Sequence, residues 1–282
     1  MSRLLRIRLT LALFGLLLVA ALVGPALSPW SVAALDWDHP AVAPTWQAGH
    51  WLGTDTLGRD VLVRSLAGLR VSLSIALLAS AIGLLLGGAT GALAGSVGGF
   101  VDGLLMRIVD VGYALPVVLV ALLLTVVLGR GASTLLVAAG TVGWLSTARM
   151  VRAETQRLAL APYVLAARLI GVAPVRLFWR HVLPNLIGPV LVQATLTVPS
   201  LVVLESFLSF LGLGVQEPNA SLGNLLHDGA REMERAPWLL LAPAVLLVSV
   251  VGALTVLGES VRDEIAHADL SLIHISEPTR PY

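Results

Sequence analysis

Six apolar stretches of membrane-crossing or nearly membrane-crossing length limit what this chain can fold into more than any other feature. The first, Leu9 to Leu27, carries no charge and follows Arg3, Arg6 and Arg8. The others are Val71 to Gly95, Val111 to Leu128, Ala132 to Ala148, Leu186 to Leu213 and Pro237 to Gly258. A hydrocarbon core about 30 Å thick takes roughly 20 apolar residues as a helix. Inside it every backbone N–H and C=O must be satisfied within the structure, so apolar runs of this length are helical. The expected fold class is an all-α membrane protein with about six transmembrane helices. Of 282 residues, 57% are hydrophobic and 12% charged, too little polar surface to wrap a water-soluble globule.

The residue inventory excludes several kinds of chemistry. Arginine supplies all 18 basic residues. Without lysine there is no G-x-x-x-x-G-K-[ST] loop, whose lysine reaches the terminal phosphates of a nucleotide, so ATP binding of that kind is excluded. Without cysteine there is no disulfide, thiolate metal site or thiol chemistry. No H-E-x-x-H occurs, and none of the six histidines falls in a clear span, which argues against an intramembrane hydrolase. Asp36, Asp38, His39 and His50 could be drawn as a metal cluster, but their spacing matches no ligand pattern and a solvated loop is expected. No catalytic residue, metal site or cofactor is expected, and no nucleic-acid partner.

Taken in order, residues 1–70 read as an N-terminal span and an extracytoplasmic segment. Ala26 and Ser28 form a small-x-small pattern, but the apolar run exceeds a signal peptide's core, so an uncleaved span is expected. Leu57, Val61, Leu62, Leu66 and Leu69 give the segment a short helix expected to lie on the membrane surface. Residues 71–270 hold the remaining spans. Gly83, Gly87, Gly91 and Gly95 recur every fourth residue, a ridge on which another helix backbone can come close. A polar turn from Ser96 to Arg107 leads to a third span with a kink at Pro116, and the fourth span, ending at Ala148, is short. In the fifth, Pro189 and Pro199 are expected to break or bend the helix. Gln193 lies between them, and Glu205 sits in an apolar run. An ionisable residue at that depth either lines a water-filled path or is a hydrogen-bonded structural group, and Gln193 and Glu205 are the candidates for a translocation path. Gly214 to Ala236 is a second outside loop with a surface helix. Six spans place 11 arginines in cytoplasmic segments against six outside, Arg280 being set aside, so both termini are expected in the cytoplasm. Residues 271–282, "SLIHISEPTRPY", continue no pattern and resemble the translated read-through of a sequencing adapter, so they are treated as a non-native tail.

The densest basic segment contains "PYVLAARLIGVAPVRLFWRHVLP", Pro162 to Pro184. Pro162 suits the first position of a helix and Gly171 its end, while Pro174 starts a second helix expected to stop before Pro184. Val175, Phe178, Trp179 and Val182 fall on one face of that second helix, with Arg176 and Arg180 on another.

These residues resemble a known family. "HWLGTDTLGRDVLVRSLAGLRVSLSIAL" from His50, "GGFVDGLLMRIVDVGYALP" from Gly98, and "YVLAARLIGVAPVRLFWRHVLPNLIGPVLVQATL" from Tyr163 running into "LESFLSFLGLGVQEP" are similar to the permease subunits of bacterial ABC importers. The likeness is to the C-type permease of the dipeptide, oligopeptide and nickel group. It implies that Pro162 to Pro184 is the family's cytoplasmic EAA loop, with Ala166, Ala167, Gly171, Leu183 and Pro184 in register. Leu165 stands where the family has Glu, and His181 at a hydrophobic position. Ala166, Ala167, Arg168, Gly171, Leu183 and Pro184 are the implied ATPase-coupling residues. The implied partners are a homologous second permease in a heterodimer, two ATP-binding subunits, an extracytoplasmic substrate-binding protein and membrane lipid. An ion-coupled secondary carrier with Glu205 in its pathway is the alternative.

Overall fold

The computed structural model describes residues 3–46 and 49–275, with side chains over most of that range as far as Ile265. The expected tail falls outside the described residues from 276 on, and only helical backbone is described for its first residues. Among the described residues the chain is helical, with one isolated bridge between Thr54 and Asp60. The order is α1 (Arg3–Leu27), α2 (Val61–Val97), α3 (Gly99–Ala114), α4 (Val117–Leu128), α5 (Ala132–Ala159), α6 (Pro162–Leu169), α7 (Pro174–Leu177), α8 (Leu183–Phe210), α9 (Leu222–Arg231) and α10 (Trp238–Ile275). Five helices are long and apolar enough to cross a membrane, and the bent pair α3–α4 makes up to a sixth span.

The central element is α2, 37 residues long and thus about 55 Å from end to end. Asp60 starts it, its carboxylate accepting the Val63 N–H at 2.8 Å and so satisfying one of the free donors of the first turn. The helix runs through Arg70 and Val71 without a break. The separate surface helix expected before residue 71 is therefore the beginning of the second span. Val61 and Leu69, read as its membrane-facing side, are buried in the bundle.

The glycine ridge of α2 packs within the chain, against α5. A Cβ on Gly87 would come 2.6 Å from the Trp144 carbonyl oxygen, and one on Gly95 would meet Thr155 Cβ at 2.7 Å. Only hydrogen at these positions lets the two backbones approach so closely. Leu69, Leu73, Ala76 and Ala79 of α2 also pack with Leu17 and Ala21 of α1, Ala139 of α5, Val198, Leu201 and Val202 of α8 and Val250 of α10.

Three spans differ from expectation. The Ser96 to Arg107 turn is mostly helix, and α3 and α4 meet at 90° around Leu115 and Pro116, a sharper break than the kink expected at Pro116. The fourth span does not stop at Ala148 but continues to Ala159, because its arginines find partners on α3. Arg149 Nη2 donates to Asp110 Oδ1 at 2.7 Å, and Arg152 Nη2 to Asp102 Oδ2 at 2.6 Å. The fifth span is continuous through Pro189 and Pro199. Neighbouring helices can support carbonyls that a proline leaves without an N–H. The Thr195 carbonyl, four residues before Pro199, lies against Gly258 of α10.

The segment before α2 is built rather than merely solvated. His50 is fully buried and stacks on Trp30 with ring centroids 4.4 Å apart. Its Nδ1 is 2.8 Å from Asp60 Oδ2 and its Nε2 3.2 Å from Asp36 Oδ2. Asp36 also meets His39 Nδ1 at 2.9 Å. Asp36, read as a loop residue, thus ties the loop through His50 to the cap of α2.

Candidate functional site

At the end of the bundle where α2 finishes, Pro162 to Pro184 folds back on α5. Pro162 sits in the first turn of α6, where a missing N–H costs nothing. After Leu169 the turn closes with the Val172 N–H donating to the Ala167 carbonyl and the Gly171 N–H to the Arg168 carbonyl, both at 3.1 Å. Gly171 holds φ +82, the left-handed conformation this type of helix end requires.

The second helix does not stop before Pro184. From α7 it passes through a π turn, Phe178–Val182, closed by the Leu183 N–H donating to the Phe178 carbonyl, and runs on as α8. The widened turn places Pro184 in the first turn of α8, so the residue that should have ended the helix is accommodated by one extra residue. That insertion rotates the apolar face. Leu177 and Val182, five apart, are buried with Leu186, while Val175 and Trp179 are 71% and 64% exposed.

The hairpin residues divide into two sets. Val164, Ala167, Leu177 and Val182 pack on Val151 and Leu158 of α5. Leu165, Ala166, Arg168, Leu169 and Ile170 are exposed. Of the two alanines singled out in the sequence, Ala167 thus faces its own chain and Ala166 faces outward. Leu183 is half-buried and Pro184 exposed at the root of α8.

The path candidates are separated from each other. A cavity of about 490 Å³ lies between the α3–α4 elbow, α5 and α8, and Gln193 lines it. Gln193 Nε2 donates to Thr197 Oγ1 at 3.2 Å, and Thr141, Ser146 and Ser200 add hydroxyls to an otherwise apolar wall without a charged side chain. Glu205 is not on this wall. It is fully buried; Ser209 Oγ donates to its Oε1 at 2.8 Å and Ser206 Oγ lies 3.4 Å from Oε2. The Ser72 and Ser221 hydroxyls also lie close to it. Ser221 caps α9, and Ser72 Oγ accepts the Leu222 N–H at 3.1 Å. The carboxyl group therefore sits where α2, α8 and the cap of α9 meet, buried among four serines. Ser206 and Ser209 are visible beside Glu205 in the sequence, but nothing local marks Ser72 and Ser221.

The chain matches the model of the family described as binding-protein-dependent transport system inner membrane component over residues 83–262. It is 42% identical over 260 residues to the oligopeptide transport system permease protein OppC of Escherichia coli K12, covering 92% of this chain and 86% of that protein. It is 41% identical over 248 residues to the dipeptide transport system permease protein DppC of Bacillus subtilis, covering 88% of this chain and 77% of that one. In structure it is similar to a chain of the MetNI methionine ABC transporter in an inward-facing conformation, with TM-score 0.59 and 20% identity, covering 73% of this chain and 96% of that chain.

Proposed function

The chain belongs to the binding-protein-dependent transport system inner membrane component family, and on that premise we propose that it is the peptide-specific permease subunit of an ATP-driven importer. It forms half of the translocation path, and a homologous second permease supplies the other half. Two ATP-binding subunits dock on the cytoplasmic hairpin, and a binding protein delivers cargo from outside. The orientation follows the arginine bias, with both termini in the cytoplasm. This chain hydrolyses nothing itself.

The observation that carries this reading is the continuity of Pro174–Phe210. One continuous arm begins beside the exposed crest of α6 and reaches Gln193 and Leu204 on the cavity wall. A push on Leu169, Ile170 or Ala166 by a closing pair of ATPase subunits would tilt the arm and re-pack the cavity, a rigid-body change of the kind that packed helices allow. Ala167, Gly171, Leu183 and Pro184 keep hairpin and arm in register, and Arg168 stands on the docking side. An ion-coupled carrier would need a carboxylate or an imidazole in the path, and the lining residues of this cavity include neither.

The test is reconstitution. Co-expressed with its companion subunits, the chain should yield a complex whose ATPase activity rises on addition of peptide-loaded binding protein. Transport by this chain alone in liposomes would overturn the proposal.

A further inference from the structure

At the opposite end of α2 from the hairpin, a second cavity of about 390 Å³ opens between the start of α2, α9 and the start of α10. Its lining is mixed in charge, Asp55, Glu217, Asp228 and Glu232 standing with Arg59, Arg64 and Arg231, and two of the guanidinium groups are buried. Arg59 is 7% exposed and Arg64 2%, unusual for guanidinium groups unless firmly partnered. Arg59 Nε meets Asp55 Oδ2 at 2.6 Å, but the two guanidinium groups share Glu217 through one oxygen. Glu217 Oε1 is 2.7 Å from Arg59 Nη1 and 3.5 Å from Arg64 Nη2. Arg64 Nη2 has no hydrogen bond of good geometry although it is buried, so a strong donor is left under-used. Glu217, by contrast, is 55% exposed on the loop between α8 and α9.

We infer that this cavity is a docking socket for an acidic side chain of the extracytoplasmic binding protein, which takes the place held by Glu217 over Arg59 and Arg64. The inference rests on the permease reading above. A guanidinium pair is a fork suited to both oxygens of a carboxylate, whereas Glu217 supplies only one. Exchange of one carboxylate for another leaves the charge of the socket unchanged, so Asp55, Asp228 and Glu232 oppose the guest no more than they oppose Glu217. Burial, and then the charge of Glu217, hold the Asp228 carboxyl above the ordinary aspartate range.

The guest comes from the docking protein rather than from the cargo, because the socket shares no lining residue with the neutral cavity of α5 and α8. It stands apart from the proposed path and opens at the end of the bundle where a delivering protein arrives.

The experiment measures binding of the substrate-binding protein encoded with this chain to the complete transporter in nanodiscs, by surface interferometry. Glu217→Ala removes the competitor. A half-exposed ion pair is worth up to about 1 kcal/mol, so docking should tighten up to about fivefold. Arg64→Lys keeps a charge but loses the fork, and should weaken docking while the complex still co-purifies with its basal ATPase. Docking that is unchanged or weaker in Glu217→Ala overturns the inference while leaving the permease reading intact, whereas absence of docking by the wild-type complex defeats both. Free peptide that binds Glu217→Ala more tightly without the binding protein, and loses that gain when its C-terminus is amidated, would assign the socket to cargo and overturn the inference.

Discussion

A Cβ placed on Gly83 would lie 2.7 Å from the carbonyl carbon of Gly143, so at this point two spans meet through glycine backbone on both sides. The contact begins a ridge that continues through Gly87 and Gly91 to Gly95 and holds α2 on α5. Gly88, next to the ridge on the same helix, has no heavy atom within 4 Å of where its Cβ would stand. Gly87→Val should therefore destabilise the subunit by about 1–3 kcal/mol, the usual cost of overpacking. Gly88→Ala should stabilise it by up to about 1 kcal/mol through helix propensity. Thermal unfolding of the isolated subunit in detergent checks both, and equal effects at the two positions would contradict the ridge.

The two faces of the coupling hairpin should fail differently. Leu169→Glu, on the exposed crest, is expected to abolish cargo-stimulated ATPase activity while the membrane complex still assembles. Ala167→Glu, buried against Val151 and Leu158, should lower subunit stability by several kcal/mol, because an unpaired carboxylate would be forced into an apolar cluster. Gly171→Val places a β-branched residue at φ +82 and should cost about 1–2 kcal/mol by straining the turn. Assembly assays beside stimulated ATPase rates separate these outcomes, and full coupling in Leu169→Glu would refute the docking face.

Gln193 and Glu205 should prove to have different roles. Gln193→Leu is expected to change the apparent affinity for transported peptide while leaving the unfolding temperature within a degree or two of wild type, roughly the range of a small surface effect. Glu205→Ala removes the acceptor of the Ser206 and Ser209 hydroxyls and should cost about 1–3 kcal/mol, with folded protein retaining its transport affinity. Glu205→Gln, which keeps an acceptor, should lose less. A Glu205→Gln subunit as stable as wild type but unable to transport would return Glu205 to the path.

The loop before α2 should respond to acid through Asp36. The hydrogen bond from His39 holds the Asp36 carboxyl below the ordinary aspartate range, against the opposing effect of burial, with His50 adding to the lowering. A depressed carboxylate contributes stability that is fully present above its unfolded value and is lost as pH falls through its folded value. Fluorescence from Trp30, obtained by subtracting a Trp30→Phe subunit, should thus show a transition below the ordinary carboxylate range. Asp36→Asn should remove that transition, and a wild-type transition that survives in Asp36→Asn would assign it elsewhere.

Much of the fold is legible along the chain because lipid leaves few choices. Apolar runs of the right length must be helices, and α1, α2, α5, α8 and α10 follow from them directly. Element ends were less legible. The fourth span reaches Ala159 because Asp102 and Asp110 of α3 neutralise Arg149 and Arg152, a pairing no window of sequence displays. Prolines differed in their effect: Pro189 and Pro199 do not break their helix, while Leu115 and Pro116 separate two helices at 90°.

The hairpin divides the same way. Its turn at Gly171, its start at Pro162 and its place beside the basic cluster are properties of residue type and spacing, and the sequence alone determined them, along with the absence of a nucleotide loop in this chain. Only tertiary structure decided that Phe178–Val182 widens into a π turn, which joins the hairpin to α8 as one arm and turns Val175 and Trp179 outward. It likewise decided that Glu205 is enclosed by serines from α2, α8 and the cap of α9, while Gln193 faces the cavity. The physical reason is common to both cases. Periodicity fixes which residues share a helical face, but an inserted residue and partners distant in sequence fix what that face meets.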